Sequence, residues 1–424
     1  TEVIKKLEAQ VNYSYNDHVM DNFRLRTPTP ALVKNMQGEM VANNSEMEVT
    51  RRTLNSRLAV TSAWDNVSLI SGIDSQHNEH GGDMTSPNMT MPFAADMKFQ
   101  SYGAFGELTY PIHADHKIVT GARVDQVEID VLKLNEQRSE TLPSGFIRLE
   151  SQYPTYGVKT YIGLGYVERV PDYWELMKTN YQGNPDATFQ QLNTEKTLQL
   201  DLGAQFKYKA WNVWASAYAG LINDYILMNY PQGDKKPHQD MDMGHGSMGG
   251  MDMPRGSHTM KNAADSKNVD ATIAGAEAGL GYQFTDAVQA DLSMAYAWGE
   301  NTSDHTALPQ IAPLEGRFNL RYVQDKYTLG MLWRVVAKQD RISLNQGNIV
   351  GYDMGESKAF STLALNASYN IMKNVDISVG IDNVLNKTYT EHLNKAGSSG
   401  FGFASDEQFN DTGRNYWARM SMKF

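Results

Sequence analysis

The 424-residue sequence contains no cysteine, which excludes disulfide bridges and thiolate ligands. Any metal chemistry therefore falls to His, Met, Asp or Glu. It also lacks a run of about twenty apolar residues, so no segment can cross a membrane as a helix. Positive charge is in deficit: 38 Lys and Arg stand against 49 Asp and Glu, a formal net charge of -11. That balance argues against a nucleic-acid partner and permits a surface that attracts cations. No nucleophile elbow, P-loop or dinucleotide fingerprint sits in a strand-to-helix context, so the chain is not expected to be an enzyme. The chain starts at Thr1 without a methionine or a signal peptide, as expected of a processed or truncated product.

What is present suits a β-architecture. A transmembrane β-barrel escapes the hydropathy test, because only alternate residues face lipid. The 22 tyrosines, 7 tryptophans and 34 glycines fit barrel girdles and turns. The stretch 3–20 carries the pattern in its clearest form. Leu7, Ala9, Val11, Tyr13 and Tyr15 share one face; Lys6, Glu8, Gln10, Asn12, Ser14 and Asn16 share the other. Continuing the polar parity places His18 and Met20 together on that second face. An imidazole and a thioether so placed form half of a soft metal site; otherwise they are a polar-face histidine beside an incidental methionine.

Similar alternating segments recur to the end of the chain, and their connections alternate between long and very short. The strands expected after the first are 49–64 and 67–77, 98–111 and 117–131, 146–153 and 156–169, and 192–208 and 211–229. They continue with 269–284 and 287–298, 316–323 and 327–336, 360–371 and 375–383, and finally 414–424. Long loops are expected at 22–46, at 80–97 with Met84, Met89 and Met91, at 170–191, and at 230–267. The fold class read from this rhythm is all-β: an antiparallel transmembrane outer-membrane barrel of about sixteen strands, short turns on one side and long loops outside the cell. Tyr416, Ala418, Met420, Met422 and the terminal Phe424 share the apolar face of the last strand. That ending resembles the C-terminal signal read by the barrel assembly machinery.

Several stretches resemble the TonB-dependent outer-membrane receptors: SYGAFGELTYPIHADHKIVTGARVD at 101–125, YIGLGYVERVPDYWELM at 161–177, LNTEKTLQLDLGAQF at 192–206, and GIDNVLNKTY at 380–389. The run YNDHVMDNFRLR at 15–26 resembles the copper-importing OprC/NosA-like branch of that family, in which a barrel His-x-Met pair meets a Cys-x-x-x-Met pair from a plug. The resemblance implies that His18 and Met20 are the barrel half of a copper site. It implies a monomer in the outer membrane of a Gram-negative bacterium, surrounded by lipid and lipopolysaccharide. The family barrel has about 22 strands around a plugged lumen. Residues 1–424 would then be its C-terminal part, with the plug, the first strands and the contact with the TonB–ExbB–ExbD complex lying outside this sequence. Arg123, Glu107, Glu168, Glu195 and Arg169 read as lumenal structural ion pairs.

The longest loop adds a second cluster. Within 238–260 stand His238, Met241, Met243, His245, Met248, Met251, Met253, His258 and Met260, with Asp240, Asp242 and Asp252 among them. Thioethers and imidazoles favour Cu(I), glycines let the backbone wrap an ion, and the carboxylates raise the local cation concentration. The expected role is metal capture; the alternative is a disordered polar loop of biased composition. Three other functions fit the fold: a siderophore or other metal-chelate receptor, a passive porin-like channel, and a metal-storing or adhesive surface protein.

Overall fold

The computed structural model describes residues 3–24, 32–92, 96–132, 135–177, 186–230, 265–395 and 407–423. Strand β1 (Ile4–Asp21) is followed by a small separate hairpin, β2 (Leu32–Lys34) with β3 (Met40–Ala42). Then come β4 (Glu46–Trp64), β5 (Val67–Ser86), the stub β6 (Met89–Pro92), β7 (Met97–His113), β8 (His116–Val131), β9 (Glu136–Tyr153) and β10 (Val158–Arg169). Two short helices, α1 (Tyr173–Met177) and α2 (Asp186–Gln191), lead to β11 (Glu195–Tyr208), β12 (Trp211–Asn229), β13 (Asp265–Gln283), β14 (Val288–Asn301) and the stub β15 (Thr306–Ala307). The chain continues through β16 (Glu315–Val323), β17 (Tyr327–Val336), the stub β18 (Gln346–Gly347), β19 (Phe360–Met372), β20 (Val375–Asp382) and β21 (Asn415–Met422).

Nineteen strands join one sheet, and sixteen of them are long. Each long strand pairs antiparallel with its neighbour in sequence, as a meander. Among the described residues β1 pairs only with β4 and β21 only with β20, so the sheet ends at these two strands. The short connections include Asp65-Asn66 and Lys209-Ala210, whose first residues adopt the positive φ of tight hairpins, 52° and 50°.

The two faces differ as the alternation predicts. Leu7, Val11 and Tyr13 on β1 are 68%, 74% and 66% exposed, and the same face carries Leu58, Ile73, Tyr102, Ile147 and Leu164. Water would penalise so broad an apolar surface, whereas hydrocarbon accommodates it. The opposite face carries cross-strand ion pairs. Arg123 donates to both Asp74 and Asp125, passing over Gly103, where an added Cβ would lie 2.2 Å from the guanidinium. Arg169 bridges Glu175 of α1 and Glu195 of β11. Glu168 is not lumenal: it shares the outward parity of Leu164 and accepts from the Tyr166 hydroxyl. A buried apolar cluster lies at the long-loop end of this face, where Tyr173, Leu176, Phe189 and Leu192 pack against Met97, Ile129 and Val131.

Two expected loops are strands. Residues 80–97 do not form one long loop: β5 runs on to Ser86 and returns through β6 before β7 begins. Likewise β9 begins at Glu136, so Val131 pairs with Glu136 across a short connection, and the strict alternation of long and short loops fails there. Both extensions exceed the bilayer. A strand of 20 residues such as β5 rises about 65 Å, against a hydrocarbon layer of about 30 Å. Beyond the lipid neither face need be apolar, so the alternation that marks a strand disappears while the ladder continues.

Candidate metal site

The register of β1 on β4 is unbroken from Lys6 to Asp21, so the polar parity carries through to His18 and Met20. His18 opposes Val49 and Met20 opposes Met47. On the next strand Met47 opposes Met84, and Met84 opposes Met91 of β6. Met20, Met47 and Met84 thus form a row of half-buried thioether side chains across three strands, with the exposed His18 one step below on β1. Directly opposed residues have Cα atoms about 5 Å apart, and alternate residues on one strand lie about 6.7 Å apart. Long thioether side chains span such gaps.

The end of β1 is held in place by short-range polar contacts. Asp21 accepts the backbone N–H groups of Phe23 and Arg24 at 3.0 and 2.7 Å, forming a turn directly after Met20. Arg24 pairs with Glu46 at 2.6 Å, and the Asn22 amide donates to the Asn43 carbonyl and accepts from the Ser45 N–H, which ties this turn to the start of β4. These contacts lock the Met20–Met47 register from above.

One row further in, Asn16, Arg51, His80 and Met97 oppose one another in turn. His80 stacks on Tyr173 with ring centroids 4.5 Å apart and planes at 11°, which joins the strand to α1. Among the described residues no three His, Asp or Glu side chains gather to hold an ion. The donors of the upper row are thioethers beside an imidazole, a set that suits Cu(I) better than a hard cation.

His18 and Met20 lie on the polar face of β1 expected for them, whereas Met47 precedes the expected strand 49–64 and Met84 was expected in a loop. The signal was available. Counting back seventeen residues on each strand from the Trp64–Val67 pair at the tight turn reaches Met47 and Met84. The capture residues His238, Met241, Met243, His245, Met248, Met251, Met253, His258 and Met260 lie outside the described residues. Where the chain leaves β12 towards them, Tyr230 stacks on Tyr352 at 4.6 Å and donates its hydroxyl to the Asn348 carbonyl.

The chain is similar in structure to the copper transporter OprC, with 38% sequence identity and a TM-score of 0.85. The alignment covers 100% of this chain and 63% of that one, so the chain spans less than two thirds of the transporter's length. The FrpB iron transporter from Neisseria meningitidis aligns with a TM-score of 0.66 at 13% identity, over 100% of this chain and 61% of that one. The Ferric-Catecholate import receptor Fiu from E. coli gives 0.66 at 12% identity, over 99% and 62%. These two likenesses bear on the fold alone. Among curated proteins there is no match. The family profile described as TonB dependent receptor-like, beta-barrel matches residues 4–384, nearly the whole sheet. The chain belongs to the TonB-dependent receptor β-barrel family of the Gram-negative outer membrane.

Proposed function

We propose that this chain is the barrel part of a copper importer, with His18 and Met20 as barrel ligands and the methionine row leading to them. The observation that carries this reading is the continuous row Met20–Met47–Met84 beside His18. The 38% identity to a copper transporter supports it. Two barrel ligands hold an ion weakly, so tight binding requires further soft donors from a plug on the opposite side of the lumen. Energy for import comes from the TonB–ExbB–ExbD complex acting on that plug. The long loops, with 238–260 among them, face the exterior and collect copper when it is scarce.

The test is copper stoichiometry by mass spectrometry on the purified complete receptor. His18→Ala or Met20→Ala removes the tight ion and leaves barrel assembly intact, because neither side chain lies on the lipid parity. Met47→Ala and Met84→Ala slow loading without removing the tight site, as does deletion of 238–260. Tight copper retained by both the His18 and Met20 variants sinks the assignment. Tight binding of a ferric chelate with no binding of Cu(I) makes the chain a chelate receptor instead.

A further inference from the structure

A histidine pair lies at the opposite end of the sheet. The hairpin of β7 and β8 turns through Ala114-Asp115, which leaves His113 and His116 as the last directly opposed pair. Parity along β7 groups His113 with Glu107, Thr109 and Pro111, on the polar face. The ladder, however, shifts by one residue between Pro111 and His113. Proline has no N–H to donate at that point, and the extra residue turns His113 over to the face of His116. That face is the outward one: His116 shares parity with Ile118, which opposes Leu149, and the neighbouring Ile112 is 53% exposed.

The two rings lie with centroids 6.1 Å apart and planes at 46°. A nitrogen–metal bond of about 2.1 Å puts an ion about 3.2 Å from each ring centroid, so one ion can bridge centroids up to about 6.4 Å apart. The observed spacing falls inside that limit. The His116 ring is also oriented from behind. Its Nδ1 lies 2.8 Å from Oγ of the buried Ser151, directly across on β9, which leaves Nε2 as the free nitrogen. Metal-binding imidazoles are commonly oriented by a polar partner on the other nitrogen. The turn is held too, because Gln152 N–H donates to the Asp115 carbonyl at 2.8 Å.

We propose that His113 and His116 form a two-imidazole site for a divalent transition-metal ion on the outer wall of the barrel, at its tight-turn end. Two protein nitrogens leave the remaining positions to water, so the ion exchanges readily. Cu(II) is the strongest binder of such a set among the common divalent ions. The site lies outside the lumen and at the far end from His18. It is therefore independent of which substrate the barrel imports.

The test uses the purified receptor in detergent with Cu(II) as the probe, read by electron paramagnetic resonance. His113→Gln and His116→Gln each weaken one nitrogen-ligated ion at least tenfold, and the double variant loses no more than either single one. That non-additivity is the mark of two residues sharing an ion. Ser151→Ala weakens the same ion severalfold while leaving both ligands in place. In the unsubstituted receptor with its lumenal site already filled, Cu(II) in excess over the sites protects His113 and His116 together from acylation by diethyl pyrocarbonate. Small additive losses from the two variants, or acylation of both rings at the same rate with and without the ion, overturn the proposal.

Discussion

At the residue scale, the stability of the polar face rests on a few guanidinium groups that reach across strands. Arg123 is the clearest, with its side chain 33% exposed and its carboxylate partners Asp74 and Asp125 at 21% and 17%. Replacing it with Gln leaves two carboxylates facing each other in a partly desolvated wall, at a cost of about 2 kcal/mol, between the surface and buried ion-pair limits. Denaturant unfolding in detergent measures that cost. Asp74→Asn costs less in the Arg123→Gln background than alone, since the charge it removes no longer has its partner. Sequence parity gave the face of Arg123 and of His18 and Met20, because parity is a local property. It did not give Asp74 as the partner of Arg123, a contact between residues 49 apart, nor Met47 as the partner of Met20. Those depend on register between strands, which has to be counted from a turn or seen in the ladder.

At the element scale, strand positions inside the membrane were legible and strand ends were not. Alternation reports contact with lipid on one face and with the lumen on the other, and it fades where both faces are wet or buried by loops. Segment 136–145, EQRSETLPSG, has no alternation and a proline at Pro143, yet the ladder with β8 runs through it. Hydrogen exchange read by mass spectrometry separates a ladder from a loop. Amides of 136–142 and of 79–86 exchange slowly, and complete exchange within seconds in either segment contradicts the extended strands. The loops beyond the strands carry a pH dependence of their own. Asp353, between β18 and β19, is 1% exposed and accepts from the backbone N–H groups of Gln310 and Ser343 and from the Gln310 amide, with the His392 ring at 3.4 Å. Burial pushes its carboxyl up, but the His392 ring and these N–H donors together hold it below the ordinary carboxylate value. A folded-state pKa below the unfolded one stabilises the fold above the unfolded value and loses that contribution as pH falls through the folded one. Limited proteolysis near residues 308–314 and 343–353 is therefore flat from neutral pH to about 5 and rises below about 3.8. Asp353→Asn removes the acid-dependent rise and costs about 2 kcal/mol of loop stability at neutral pH.

At the scale of the whole molecule, the outstanding feature is a sheet with two ends. Strand β1 offers its outer edge along 18 residues and β21 along 8. In hydrocarbon each unsatisfied backbone N–H or C=O costs several kcal/mol, so a lipid-embedded sheet must close. Two closures are possible: β1 pairs with β21 directly, giving a sixteen-strand pore, or further strands fill the gap, giving the wider barrel expected of the family. A disulfide distinguishes them, because it forms only between Cα atoms about 4.4–6.8 Å apart. These 424 residues contribute no cysteine of their own. Asn12→Cys on β1 is combined in turn with Trp417→Cys, Arg419→Cys and Ser421→Cys on β21, which lie on the same polar face and cover the registers in which the two strands could meet. No pair crosslinks in the complete receptor under oxidation, while the control pair Asn12→Cys with Asn55→Cys, opposed across β1 and β4, crosslinks readily. A high-yield crosslink between β1 and β21 in the assembled barrel makes the chain a self-contained channel, leaves no room for a plug, and removes the donors that a tight copper site requires.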